Sequence, residues 1–124
     1  MPYEITVDTT DQLVRVLVSG VFDAEDAPRM TIDARQVAAQ HGLHRILYDV
    51  RVARAGKLES SDLFWLPRTL PVLKDPKAAR IKVATLFVEP QRPIVEFWEN
   101  AFRNVGLSAR GFLTERAALD WLAG

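Results

Sequence analysis

The chain contains no cysteine among its 124 residues. It therefore has no disulfide, no thiol nucleophile and no cysteine-ligated zinc or iron–sulfur site. Only two histidines are present, His41 and His44, and they flank Gly42. Because no third ligand lies near them in the sequence, we predict no metal site and no cofactor. His41 instead suits the negative end of a helix dipole.

Net charge is also lacking, since sixteen basic residues balance sixteen acidic ones. Without an overall positive field we expect no nucleic-acid partner. No apolar run approaches the roughly 20 residues that a membrane-spanning helix needs, so no transmembrane segment is predicted. The opening Met1-Pro2-Tyr3-Glu4 has neither the basic nor the apolar region of a secretory signal. These absences lead us to expect a cytoplasmic protein.

The residues that are present form the pattern of one α/β domain over 1–124. Tyr3, Ile5 and Val7 alternate with polar residues, and an apolar segment over 13–18 follows a polar turn. This pattern predicts an antiparallel hairpin. Further predicted strands cover 46–50, 81–88 and 108–113; predicted helices lie between Asp23 and Gly42 and over 63–73, 94–105 and 114–122. Helical crossovers join parallel strands, so we predict a mixed sheet of order ββαβαβαβα with an antiparallel N-terminal hairpin strand and up to four helices.

Three segments carry a family resemblance: VSGVFD at 18–23, RILYD at 45–49 and FLTERAALDWL at 112–122. With the order of elements, they resemble the STAS/SpoIIAA-like superfamily of anti-sigma-factor antagonists. That superfamily includes small uncharacterised bacterial proteins and lipid-binding relatives. The resemblance covers essentially the whole chain. It implies the SpoIIAA-like fold and a regulatory protein that binds other proteins.

The resemblance also implies a modification site. In the antagonists a kinase phosphorylates a serine near the start of the helix after the central strand, in a motif close to Asp-Ser-Ser-Gly. The matching position here holds Glu59-Ser60-Ser61-Asp62, which makes Ser60 or Ser61 the candidate phosphoacceptor. A helix N-terminus suits a phosphate, but the flanking acids repel one. The alternative interpretation is that the two serines cap the helix.

Polar residues follow several predicted strands, at the edge where ligands of open α/β sheets bind. They are Asp23, Arg51, Arg54, Glu89 and Arg92. Such a rim of carboxylates and arginines could bind an anion, do acid–base work, or consist only of solvated loops with salt bridges. The sequence has no glycine-rich phosphate loop and no nucleophile elbow, so we predict no catalytic residue and no enzyme.

The helix predicted over 63–73 is too apolar to bury all its side chains. Successive helical residues turn by about 100°, so at least one of Phe64, Trp65 and Leu66 should meet solvent, a ligand or another chain. The alternatives are cover by neighbouring elements, a surface for a homodimer or protein partner, and a pocket for an apolar small molecule or lipid. The predicted contact residues are Phe64, Trp65, Leu66, Arg68 and Trp98.

We therefore predict a non-enzymatic cytoplasmic protein-interaction or regulatory module. The alternative function is a carrier or sensor of a small apolar ligand or lipid, with its pocket beside the helix at 63–73. An arginine-rich mouth, formed by the basic residues near that helix, is part of this alternative.

Overall fold

The computed structural model describes residues 2–124 and contains one five-stranded sheet in the order β1-β2-β3-β4-β5. The strands are β1 Tyr3–Asp8, β2 Leu13–Phe22, β3 Arg45–Ala55, β4 Lys82–Leu86 and β5 Ser108–Phe112. β1 pairs with β2 in antiparallel fashion, and the remaining neighbours are parallel. The predicted mixed α/β sheet, with its N-terminal hairpin strand at an edge, is confirmed.

The helices are α1 Asp26–Gln40, α2 Ser60–Thr69, α3 Pro71–Lys74, α4 Arg92–Arg103 and α5 Glu115–Ala123. The helix predicted over 63–73 is thus two helices, and the total exceeds the predicted four by the single turn of α3. The break lies at Leu70, which is extended (φ −79°, ψ 116°). A residue before proline is driven out of the helical region, so Pro71 ends α2 and begins α3.

Helices cover the two faces of the sheet unequally, and strand alternation decides which residues meet them. Val14, Ile46 and Val83 share a core with Met30 and Ala34 of α1. On the opposite face, α5 packs on a separate core formed by Leu13, Leu47, Ala84, Leu86, Ala118 and Leu122. A third cluster joins α2 and α4 beside α1, through Ala27, Leu66 and Phe102 among others. The face that carries α1, α2 and α4 is therefore the thicker one.

Strands β2 and β3 continue beyond β4 as a two-stranded ribbon, which consists of residues 19–22 and 51–55. The sequence prediction ended the third strand at Val50, which is wrong, because the strand continues to Ala55. The error has a physical reason. Within 51–55 the covered face of the ribbon carries only the small residues Ala53 and Ala55, while Arg51, Val52 and Arg54 are exposed, so the segment shows no apolar alternation.

A β-bulge separates the ribbon from the body of the sheet. Leu17 pairs with Asp49, but Ser19 pairs with Val52, so β3 contains one extra residue. One extra residue inverts the alternation of side chains between the two faces of the sheet. Even-numbered Tyr48 faces α1 before the bulge, whereas odd-numbered Ala55 shares a face with Phe22 after it.

Candidate functional site

A small cavity lies between the sheet and helices α1, α2 and α4, with a volume of about 140 Å³. Its walls are mostly apolar. The strands contribute Val18, Phe22 and Val50, and the helices contribute Met30, Leu63, Leu66, Val95 and Trp98. An engineered apolar cavity of about 150 Å³ in another protein binds benzene, so this one has the volume of a single ring or a short chain.

Helical spacing explains how α2 and α4 form the walls. Leu63 and Leu66 are three residues apart on α2, and Val95 and Trp98 are three apart on α4, so each pair lies on one helix face. Trp98 stands perpendicular to Tyr48, with 6.0 Å between the ring centroids. This edge-to-face contact fixes the indole against the sheet.

Three hydroxyl-bearing residues line the cavity: Thr31, Tyr48 and Thr85. Thr31 donates to the carbonyl oxygen of Ala27 at 2.8 Å. Tyr48 and Thr85 are register partners on β3 and β4, so their side chains stand next to each other on the same face. Burial raises the pKa of the Tyr48 phenol to about 12, although Arg35 and a hydrogen bond with Thr31 act in the opposite direction. The phenol is therefore neutral at physiological pH.

Thr85 differs from the other two residues because its hydroxyl is unsatisfied. The residue is 4% exposed, and its Oγ1 has no hydrogen-bond partner among the described residues. Most buried polar groups in folded proteins are hydrogen-bonded, so an exception needs an explanation. Strand alternation places Thr85 with Val83 on the cavity side of β4.

Gln91 joins the ribbon to the start of α4 at the edge of the cavity. Its Nε2 donates to the carbonyl oxygens of Val50 at 2.6 Å and Ala53 at 3.1 Å. Its Oε1 accepts from the backbone N–H of Val88 at 3.0 Å. Pairing of β3 with β4 ends at Asp49, so β3 has no strand partner on that side beyond it, and one amide side chain satisfies both carbonyls. Sequence analysis missed Gln91, because nothing in the sequence marks the bulge that it serves.

Asp23 closes the far end of the ribbon. Its Oδ1 accepts from the backbone N–H of Lys57 at 2.7 Å. The neighbouring Gly56 permits this approach, because a Cβ there would overlap the Asp23 carboxylate. Asp23 is not the N-cap of the first helix, a position that Glu25 occupies. α1 begins at Asp26, whose carboxylate accepts from the backbone N–H of Asp23 at 2.8 Å.

The other residues predicted to form a polar rim make local contacts. Arg51 pairs with Asp49 at 2.8 Å, and Arg92 pairs with Glu89 at 2.6 Å. The Arg51 guanidinium beside Asp49 holds the pKa of that carboxyl below its usual value against the opposing effect of burial. The pKa of Glu89 is lowered by its hydrogen bonds with Arg92. These arginines are thus engaged by nearby carboxylates.

Arg54 is the one charged residue among the described residues that line the cavity. Its register partner is Val21, and partnered residues share a face of a sheet. That face lies opposite Phe22 and Ala55, so the Arg54 side chain leaves the strand on the side away from the cavity. The predicted arginine-rich mouth therefore has no contribution from this side chain.

The outer side of α2 carries an aromatic patch, which consists of Phe64, Trp65 and Arg68. Trp65 is 57% exposed and Phe64 37% exposed, as the apolar run predicted for at least one residue there. The two rings meet edge to face with 5.1 Å between their centroids. The Arg68 guanidinium lies 3.8 Å from the Phe64 ring centroid and donates to the Phe64 carbonyl at 2.7 Å.

The five predicted contact residues thus belong to two sites. Phe64, Trp65 and Arg68 form the aromatic patch, whereas Leu66 and Trp98 line the cavity. Sequence reasoning treated them as one surface, because it could not tell which side of the helix faces the sheet.

Solved structures share this architecture over nearly the full length of the chain. One is an uncharacterised protein from Shewanella loihica with a SpoIIAA-like fold, at 21% identity and a TM-score of 0.57; the match covers 97% of this chain and 91% of that protein. Another is the anti-sigma factor antagonist SpoIIAA in its unphosphorylated form, at 16% identity and a TM-score of 0.56, with 98% of both chains covered. The chain has the SpoIIAA-like fold. The resemblance predicted from sequence is confirmed at the level of the fold.

No sequence profile of a protein family matches the chain, and no curated protein matches it either. The SpoIIAA-like fold is therefore the part of the resemblance that the comparisons support.

Within this SpoIIAA-like fold, Ser60 and Ser61 are the first two residues of α2, and both are exposed. Neither caps the helix, so the capping interpretation is corrected. Instead Glu59 occupies the N-cap position, and its backbone N–H donates to the Asp62 carboxylate at 2.8 Å. The acidic residues do the capping because a carboxylate accepts hydrogen bonds well at the positive end of a helix.

Two further features concern the SpoIIAA-like domain as a whole. Over residues 2–124, no three histidine or acidic side chains gather in an arrangement that could hold a metal ion. Within the same range, no helix has the length and apolar character needed to cross a membrane.

Proposed function

We propose that this chain is a non-enzymatic cytoplasmic regulatory module that binds a protein partner through the aromatic patch on α2. The observation that carries the proposal is the exposure of Trp65, which is 57% accessible beside a partly exposed Phe64. The SpoIIAA-like fold supports it, because one solved structure with that fold is an anti-sigma factor antagonist. We assign no residue a catalytic role.

The chemistry of the patch suits a protein interface. Tryptophan, tyrosine and arginine are the residues that most often contribute large shares of binding energy. Here Arg68 is already fixed, since it stacks on Phe64 and donates to backbone carbonyls of Phe64 and Ala101. A side chain that is ordered before binding loses less conformational entropy when the partner arrives.

A substitution in the patch tests the proposal. Trp65→Asp places a charge on a surface that a partner would dehydrate, while leaving the packing beneath α2 unchanged. Ile32→Asp on α1 is the matched control, because Ile32 is also a partly exposed apolar helix residue, at 43%. Native mass spectrometry of the purified proteins reports a homodimer, and affinity purification from the source organism reports a different partner.

We expect both measurements to detect a complex of the wild type and of Ile32→Asp, but none of Trp65→Asp. A complex that persists in Trp65→Asp would exclude the patch as the contact surface. If neither the wild type nor the control forms any complex, the interaction function itself is wrong.

A second candidate function, the binding of a small apolar molecule, is favoured by the cavity under α2. The specific observation is an apolar volume of about 140 Å³ with one unsatisfied hydroxyl. The two functions use opposite sides of α2 and are therefore independent.

A further inference from the structure

We infer that the cavity binds a small neutral molecule that is apolar over most of its surface. Its single hydrogen-bonding group forms a hydrogen bond with the Thr85 hydroxyl. This inference rests on the second candidate function and gives it a ligand class and an anchoring residue. It does not depend on the aromatic patch.

The anchoring role of Thr85 follows from its environment. Its Oγ1 is buried without a partner, and its place on β4 directs it to the cavity side of the sheet. Its neighbour Thr31 already has an acceptor in the Ala27 carbonyl. A ligand hydroxyl or carbonyl that reaches Thr85 would satisfy a polar group that folding leaves unsatisfied, so the hydrogen bond adds to affinity.

The neutral character of the ligand follows from the charges around the cavity. The side chain of Arg54 leaves the strand on the other face of the ribbon, while Arg51 and Arg92 are paired with carboxylates. A carboxylate or ammonium group in the cavity would lose its hydration without an ion-pair partner in the cavity wall, because Arg35, which acts on Tyr48, is not among the lining residues. Such burial is strongly unfavourable, so fatty acids and other ions are poor ligands.

The size of the ligand follows from the cavity volume of about 140 Å³. That volume accommodates one ring or a chain of similar bulk. Trp98, held against Tyr48, provides an aromatic wall against which a ring can pack.

Three matched probes test these properties together: benzyl alcohol, toluene and benzoate. They share one ring and differ in having a neutral polar group, no polar group or a negative charge. Affinities are measured by titration with ¹H–¹⁵N NMR spectra of the wild type, Thr85→Val, Thr85→Ser and Trp65→Asp. Thr85→Val keeps the shape of the side chain and removes the hydroxyl, whereas Thr85→Ser keeps the hydroxyl.

We expect the wild type to bind benzyl alcohol most tightly, then toluene, and benzoate most weakly. Thr85→Val should weaken benzyl alcohol binding by roughly tenfold, which corresponds to one lost hydrogen bond, and leave toluene binding unchanged. Thr85→Ser should retain most of the preference for benzyl alcohol. Trp65→Asp should bind all three probes as the wild type does, whether or not the aromatic patch binds a partner.

Three results would overturn the inference. They are an equal loss of affinity for benzyl alcohol and toluene in Thr85→Val, tightest binding of benzoate by the wild type, and the absence of chemical-shift changes at residues that line the cavity. Should Thr85→Val fail to fold, Ala53→Leu provides the second test, since it fills the cavity from the ribbon. It should abolish the binding of both neutral probes, and unchanged binding would place them elsewhere.

Discussion

The side-chain amide of Gln91 lies 2.6 Å from the carbonyl oxygen of Val50, and the same nitrogen reaches the carbonyl of Ala53. One side chain therefore bridges the β-bulge and connects the ribbon to the segment that begins α4. Because Val50 and Ala53 both line the cavity, this bridge fixes one edge of the candidate ligand site.

Removing the bridge should destabilise the protein measurably. Gln91→Ala leaves two partly buried carbonyls without their donor, so we expect the free energy of unfolding to fall by about 1–3 kcal/mol. Urea denaturation followed by circular dichroism measures the change. Gln36→Ala on the exposed side of α1 is the control and should have little effect. A Gln91→Ala protein as stable as that control would show that water replaces the amide at no cost.

The two tyrosines of the chain should titrate abnormally. Burial and a 2.6 Å hydrogen bond to Asp33 raise the pKa of Tyr3 to about 12, and burial raises the pKa of Tyr48 to about 12. Since these are the only tyrosines, tyrosinate absorbance of the folded protein should show no transition near the ordinary value of 10. In urea both should titrate there. A folded-state transition near 10 would contradict the burial of at least one phenol.

The same shifts make stability depend on alkaline pH, and the sign follows from linkage. The folded state binds the phenolic protons more tightly than the unfolded state does, so the stabilisation is complete below pH 10 and is lost between 10 and about 12. Each tyrosine contributes a slope of at most about 1.4 kcal/mol per pH unit. Tyr48→Phe should show a shallower loss than the wild type over that range.

Arg35 should be replaceable by an apolar residue. It is 4% exposed, its Nε has no partner among the described residues, and Nη1 makes one long contact of 3.3 Å with the Ala78 carbonyl. Burial lowers the pKa of this guanidinium. We expect Arg35→Leu to leave the free energy of unfolding unchanged or to raise it by up to about 3 kcal/mol. A loss above about 1 kcal/mol in urea denaturation would show that the charge contributes to stability.

The fold could be predicted from the sequence because its signals are local. Alternation of apolar residues identified the hairpin, and helical spacing with Gly42 and Thr114 at helix ends identified α1 and α5. The apolar run at Phe64–Leu66 correctly predicted that a large side chain would leave the core. These signals need no knowledge of which elements pack together.

The site could not be predicted, because it depends on contacts between distant segments. The importance of Gln91 arises from a bulge more than thirty residues earlier in the chain. Thr85 resembles any strand threonine until the register places it beside Tyr48 in a cavity. The direction of Arg54 reverses because the bulge adds one residue, an event that leaves no trace in hydrophobic periodicity.

The ribbon is held by a polar contact, through Gln91 near the bulge, and by apolar contacts, through Phe22 and Ala53, which pack against the core. Its outward residues Val21 and Val52 are already exposed. Detaching it would exchange the hydrogen bonds for bonds to water and would also expose Phe22 and Ala53, so the heat-capacity change would be positive. Detachment of the ribbon should therefore follow a curved temperature profile, although a shallower one than global unfolding, which exposes all the apolar clusters.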